Sequence, residues 1–101
     1  MPEPAAGDLS EFRIFETEEF QKRLGKLSPG TARFISRKLR DYVYPQLRAD
    51  PFLGPNIRKL RGYTPVTWRY RIGRFRIFYL VSRSERIVAL LSIDDRKDAY
   101  R

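Results

Sequence analysis

Three arginines placed close together can do chemistry on an anion, and this chain has four in one short run, three of them spaced to share a face. From Val66 to Tyr79 it reads Val-Thr-Trp-Arg-Tyr-Arg-Ile-Gly-Arg-Phe-Arg-Ile-Phe-Tyr. A guanidinium presents a planar fork of donors that matches phosphate oxygens, and it stays cationic throughout the physiological range. Several such groups on one surface hold a phosphate and stabilise charge that develops on it. The spacing joins them. Residues 66–72 alternate at the strand period of two, with Val66, Trp68, Tyr70 and Ile72 on one face and Thr67, Arg69 and Arg71 on the other. Gly73-Arg74 then reads as a two-residue hairpin turn, glycine supplying the positive φ at its first position. That register sets Arg71 opposite Arg76, whereas a turn at Ile72-Gly73 would set Arg76 opposite Arg69. Either way three guanidinium groups share one sheet surface. Like charges facing each other cost stability, so the cluster points to an anionic ligand.

Composition agrees. The 101 residues suffice for one domain, 42% of them are hydrophobic, and the formal net charge is +9. Residues 57–86 hold nine Lys/Arg and one acid, Glu85, so the excess is concentrated as in a polyanion binder. There is no cysteine and no histidine. The usual zinc ligand sets and the usual general base near neutral pH are therefore missing, and no metal and no cofactor is expected. No apolar run approaches a membrane span, and residues 1–10 lack the apolar core of a signal peptide. A cytoplasmic protein with no membrane partner is expected.

Holding the cluster takes a sheet and a layer to back it. Residues 1–10, with two prolines, read as a flexible tail ahead of a single domain over 11–101. Residues 11–16 (EFRIFE) read as a strand. Thr17 is a candidate N-cap, with Glu18 and Glu19 suiting the first turn of a helix over about 18–26. Ser28-Pro29 opens a second helix to about Arg48, with Phe34, Ile35, Leu39, Tyr42, Val43 and Leu47 as its apolar face and a kink at Pro45. Asp50 to Pro65 reads as a long connection that Leu60 anchors. Strands follow over about 66–72, 74–82 and 85–93, the last two apolar on both faces and so central or covered. Beyond them, Asp94 onward reads as a polar tail leaving the sheet. The expected fold is α+β, in the order β-α-α-β-β-β: two N-terminal helices on one face of a small, mostly antiparallel four-stranded sheet whose other face carries the arginines. Trp68, Tyr70, Phe75 and Tyr79 then belong to the core.

Three stretches together resemble the RelE/ParE toxin superfamily of bacterial and archaeal toxin–antitoxin modules, the RelE branch more closely. They are Lys59-Leu60-Arg61-Gly62, the hairpin from Trp68 to Tyr79, and Asp95-Arg96-Lys97-Asp98-Ala99-Tyr100. The resemblance covers about residues 11–101. It implies a ribosome-dependent, metal-free endoribonuclease that cuts mRNA by attack of a ribose 2′-OH on the adjacent phosphate, with a cognate antitoxin, the ribosome and mRNA as partners. By position it implies that Arg69 and Arg71 are the two basic residues of the second strand. Arg76 matches the arginine that contacts the scissile phosphate, and Arg96 lies near the family's C-terminal arginine. Tyr100 matches the C-terminal tyrosine that stacks on a base or assists proton transfer. Phe78 shares the arginine face and can stack on a base, while Lys59, Arg61, Arg74, Arg83 and Arg86 suit RNA phosphates. Arg33, Arg37, Lys38 and Arg40 are either further RNA contacts or a solvated helix surface. Arginine cannot serve as a base, which leaves Tyr100, Asp94 and Asp95. Asp95 stands where the family often has histidine, and the two aspartates either supply a base or weaken the nuclease. Two other readings share the fold: a ParE-like inhibitor of DNA gyrase that cuts nothing, and a catalytically weak RNA-binding relic.

Overall fold

Alternation over Trp68–Ile72 and Phe75–Ser82 builds two strands joined by a tight turn, and the other elements are arranged around that hairpin. The computed structural model describes residues 11–95. In chain order these form β1 (Arg13–Glu16), α1 (Glu18–Gly25), α2 (Pro29–Lys38), a π-helical turn (Leu39–Val43), α3 (Tyr44–Ala49), β2 (Ile57–Lys59), β3 (Trp68–Ile72), β4 (Phe75–Ser82) and β5 (Ile87–Asp95). The sheet order is β1-β5-β4-β3-β2, with β1 parallel to β5 and the other pairs antiparallel. The expected flexible tail over 1–10 lies outside the described residues.

The α+β class is as expected, but the sheet is five-stranded and mixed, not four-stranded. The added strand, β2, lies inside the stretch read as a connection. Its three residues are too few to show a period, and pairing with β3 defines them: Ile57 faces Tyr70, Arg58 faces Arg69 and Lys59 faces Trp68. Asp94 and Asp95 also correct the reading. They do not leave the sheet but end β5, opposite Arg76 and Phe75.

Thr17 caps α1 as expected. Its hydroxyl oxygen accepts from the Phe20 amide at 3.2 Å and donates to the Leu90 carbonyl at 2.6 Å, tying the helix start to β5. Ser28 precedes Pro29 as expected, but its hydroxyl bonds Thr31 Oγ1 at 2.9 Å and caps no amide. The kink expected at Pro45 takes the form of a register shift. Proline has no N–H to give to the carbonyl four residues back, and upstream of it the Tyr44 amide reaches five back, to Leu39. The helix thus widens to a π turn over Leu39–Val43, then resumes.

Ile35, Leu39, Val43 and Leu47 form the buried stripe of this helical stretch, each at most 3% exposed. Phe34 and Tyr42 were expected beside them, yet they are 49% and 60% exposed. They flank the stripe and stack on Lys38, whose ammonium lies 5.7 and 4.8 Å from their ring centres. On the sheet, Tyr70, Ile72, Phe75, Ile77, Tyr79, Val88, Leu90 and Ile93 complete the core, and Trp68 packs against it partly buried. Phe52 bridges Phe12 and Trp68 at centroid distances of 5.9 and 5.2 Å.

Candidate phosphate-binding cleft

Tyr70, Ile72, Phe75 and Ile77 turn inward, so Arg69, Arg71 and Arg76 must turn to the opposite face. The turn is the first of the two expected. Gly73 has φ +56, Ile72 pairs with Phe75, and Arg71 stands directly opposite Arg76. β2 sets Arg58 opposite Arg69. Four guanidinium-bearing positions therefore form two cross-strand pairs on neighbouring strands.

A β-bulge shapes the surface beside them. Phe78 faces Ser92 and Tyr79 faces Leu90, which leaves Leu91 as the extra residue of β5. Strict alternation would set Ile93 on the same side as Leu91. The bulge instead lets Ile93 and Leu90 both point into the core and gives Leu91 to the open side. The result is a cleft of about 510 Å³. Its floor is Arg69, Arg76, Phe78, Leu91, Ser92 and Asp94, and its rim is Leu60, Tyr63 and Thr67. The rim is closed just ahead of β3 by the Leu60 amide, which donates to the Thr67 carbonyl at 2.9 Å. Thr67 Oγ1 donates to the Pro65 carbonyl, also at 2.9 Å.

Burial lowers the pKa of Arg69 below the usual arginine range, and Arg58, Arg76 and Arg71 push it the same way. It remains a cation, since that range lies far above neutral. An anion held among these groups favours their charged forms and lowers this mutual repulsion. Asp94 stands across the strand pair from Arg76. Its Oδ1 accepts from Arg23 Nη1 of α1 at 2.8 Å, while Arg23 Nε donates to Glu19 Oε2 at 2.6 Å. Asp95 Oδ2 pairs with Arg74 Nε at 3.2 Å. Both aspartates named as candidate bases are thus engaged by guanidinium groups outside the trio. Tyr79 and Tyr44 supply no base. Burial raises the pKa of each, and Tyr44 also donates to the Glu16 carboxylate.

The named site residues separate into groups. Arg69, Arg76 and Phe78 meet in the cleft. Arg71 pairs with Arg76 but lines a neighbouring groove with Lys38, Tyr42, Asn56 and Gly73. Lys59 and Arg61 are exposed on β2 and the loop after it. Arg74 is in the turn, bound to Asp95. Arg83 is at the far β4–β5 turn, its guanidinium 4.0 Å from the Phe52 ring centre, and Arg86 stacks at the same distance on Phe12. These two therefore cap the aromatic cluster, away from the cleft. Arg96 and Tyr100 lie outside the described residues. Arg58, Tyr63, Thr67 and Leu91 were not anticipated. Two of them had a legible signal: Thr67 shares the strand face of Arg69 and Arg71, and Tyr63 is an aromatic residue in a Gly-Pro loop that serves no strand or helix period.

The family model described as the ParE toxin of the type II toxin–antitoxin system parDE matches residues 14–100, and the chain belongs to that family. No curated protein sequence matches it. Solved structures share the fold at low identity. The toxin–antitoxin complex RelBE2 of Mycobacterium tuberculosis aligns with a TM-score of 0.68 at 21% identity, covering 85% of this chain and 99% of the other. A doubly substituted E. coli toxin RelE in the free state gives 0.63 at 21% identity, covering 89% and 88%. The archaeal RelE–RelB complex of Pyrococcus horikoshii gives 0.53 at 22% identity, covering 84% and 94%.

Proposed function

We propose that this toxin is a ribosome-dependent endoribonuclease that cleaves translated mRNA in the cytoplasm without a cofactor. The observation that carries the reading is the meeting of Arg69 and Arg76 with Phe78 in one cleft, Arg71 standing across from Arg76. In the reaction the ribose 2′-oxygen bonds to the adjacent phosphorus and the bond from phosphorus to the 5′-oxygen breaks. The products are a 2′,3′-cyclic phosphate and a 5′-hydroxyl, whose oxygen takes its proton from water as it leaves. Negative charge grows on the non-bridging oxygens, where fixed guanidinium groups stabilise it most. Arg69 and Arg76 supply that stabilisation, and Arg71 and Arg96 extend it along the strand of RNA. Phe78 and Tyr63 offer ring faces to a base. The proton leaving the 2′-OH falls to a group other than arginine, and Tyr100 takes that role in this reading.

The solved relatives include complexes of RelE toxins with RelB antitoxins. We infer a corresponding antitoxin here, with acidic residues laid over the cleft. A second reading, inhibition of DNA gyrase without RNA cleavage, draws on the ParE description of the matching family. Purified toxin tested on mRNA-programmed ribosomes and on DNA gyrase separates the two. The nuclease reading expects mRNA cleavage and unimpaired supercoiling, with Arg76→Ala slowing cleavage about 100-fold or more. Intact mRNA with arrested supercoiling contradicts it.

A further inference from the structure

One carboxylate lines the cleft among the described residues, that of Asp94. It stands directly across the strand pair from Arg76, and cross-strand neighbours on one face lie within side-chain reach of each other. A carboxylate so placed opposes a phosphate twice: it repels the anion, and it competes for the guanidinium fork that would hold it. Arg23 interrupts this. It reaches from α1 to take Asp94 Oδ1 at 2.8 Å, and Glu19, one helical turn earlier, fixes it from the other side at 2.6 Å. With Arg23 47% and Asp94 32% exposed at the side chain, the pair adds little to fold stability. Its consequence is for the cleft.

We propose that Arg23 is a positioning residue: by holding the Asp94 carboxylate off Arg76, it sets how tightly the cleft takes a phosphodiester. The inference rests on the reading of the cleft as a phosphate seat. Without Arg23, Asp94 turns to Arg76 and occupies the place of the RNA phosphate. The effect of Arg23 therefore runs through Asp94, which distinguishes it from that of any nearby positive charge.

A double-mutant cycle tests this, read by fluorescence anisotropy with a short, labelled, 2′-O-methyl RNA, which binds but cannot be cleaved. Arg23→Gln is expected to weaken binding about tenfold when Asp94 is present, and by less than about twofold in the Asp94→Asn background. Asp94→Asn alone is expected to bind at least as tightly as the wild type. Lys26→Gln at the C-cap of the same helix measures the cost of losing a charge there, and is expected to stay within about twofold. Equal losses on removing Arg23 in both backgrounds, or weaker binding by Asp94→Asn alone, overturn the proposal. Binding that Arg76→Ala leaves unchanged instead overturns the phosphate-seat reading beneath it. Loss with Arg76→Ala together with an additive cycle removes the Arg23 inference alone.

Discussion

Arg69 costs the folded protein something, because burial and three neighbouring guanidinium groups all disfavour its charge. Replacing it with an uncharged side chain of similar length should therefore stabilise the fold while removing function. Arg69→Gln is expected to gain about 0.5–1 kcal/mol in urea unfolding and to lose ribosome-dependent cleavage. A destabilised variant would mean that Arg69 serves the fold. Tyr79 shows the opposite balance. Its hydroxyl donates to the buried Pro51 carbonyl at 2.7 Å, and burial raises its pKa. A raised pKa means that the fold favours the neutral phenol. The contribution is whole below the unfolded value of about 10 and fades as pH rises through the folded one. Stability should fall in alkaline solution above about pH 10, and Tyr79→Phe should soften that fall while costing about 1–2 kcal/mol at neutral pH. Thermal melts across pH check both. At this scale the sequence placed Arg69, Arg71, Arg76 and Phe78 on one face, because a period of two needs no tertiary information. The resemblance set Asp94 beside the phosphate site as a candidate base, but periodicity put it in a tail leaving the sheet, since two adjacent aspartates after an apolar run look like a strand's end. The pairing of Asp94 with Arg76 and Arg23, residues distant in the chain, reverses that appearance.

Elements were legible where local chemistry decides them. Thr17 announces α1 as the side chain that caps it, and Gly73 announces the hairpin because its φ of +56 suits glycine. Gly73→Ala should cost about 1–2 kcal/mol from backbone strain alone, since an added Cβ meets nothing within 4 Å. A denaturation midpoint unchanged by this substitution would contradict that account of the turn. β2 and the bulge at Leu91 left no such trace. β2 exists because β3 has an edge to fill, and the bulge because Ile93 and Leu90 must both reach the core. The helical stretch falls between these cases. Pro45 foretold a break, but not that a π turn would absorb it and leave Phe34 and Tyr42 stacked on Lys38 in solvent.

For the whole molecule, helices and aromatic cluster back the sheet, and its open side carries the basic cleft. Arg83 and Arg86 belong to the backing layer despite their charge, which composition alone could not reveal. Net charge of +9 brings such a molecule to RNA in general, whereas the function proposed for it is narrower, cleavage of mRNA under translation. Primer extension after induction of the toxin alone tests it most directly, on one message in translated form and in a form with its start codon removed. The account predicts new 5′ ends within the translated message, none in the untranslated one, and none in either with Arg76→Ala. Growth arrest with damaged DNA and intact messages would contradict it.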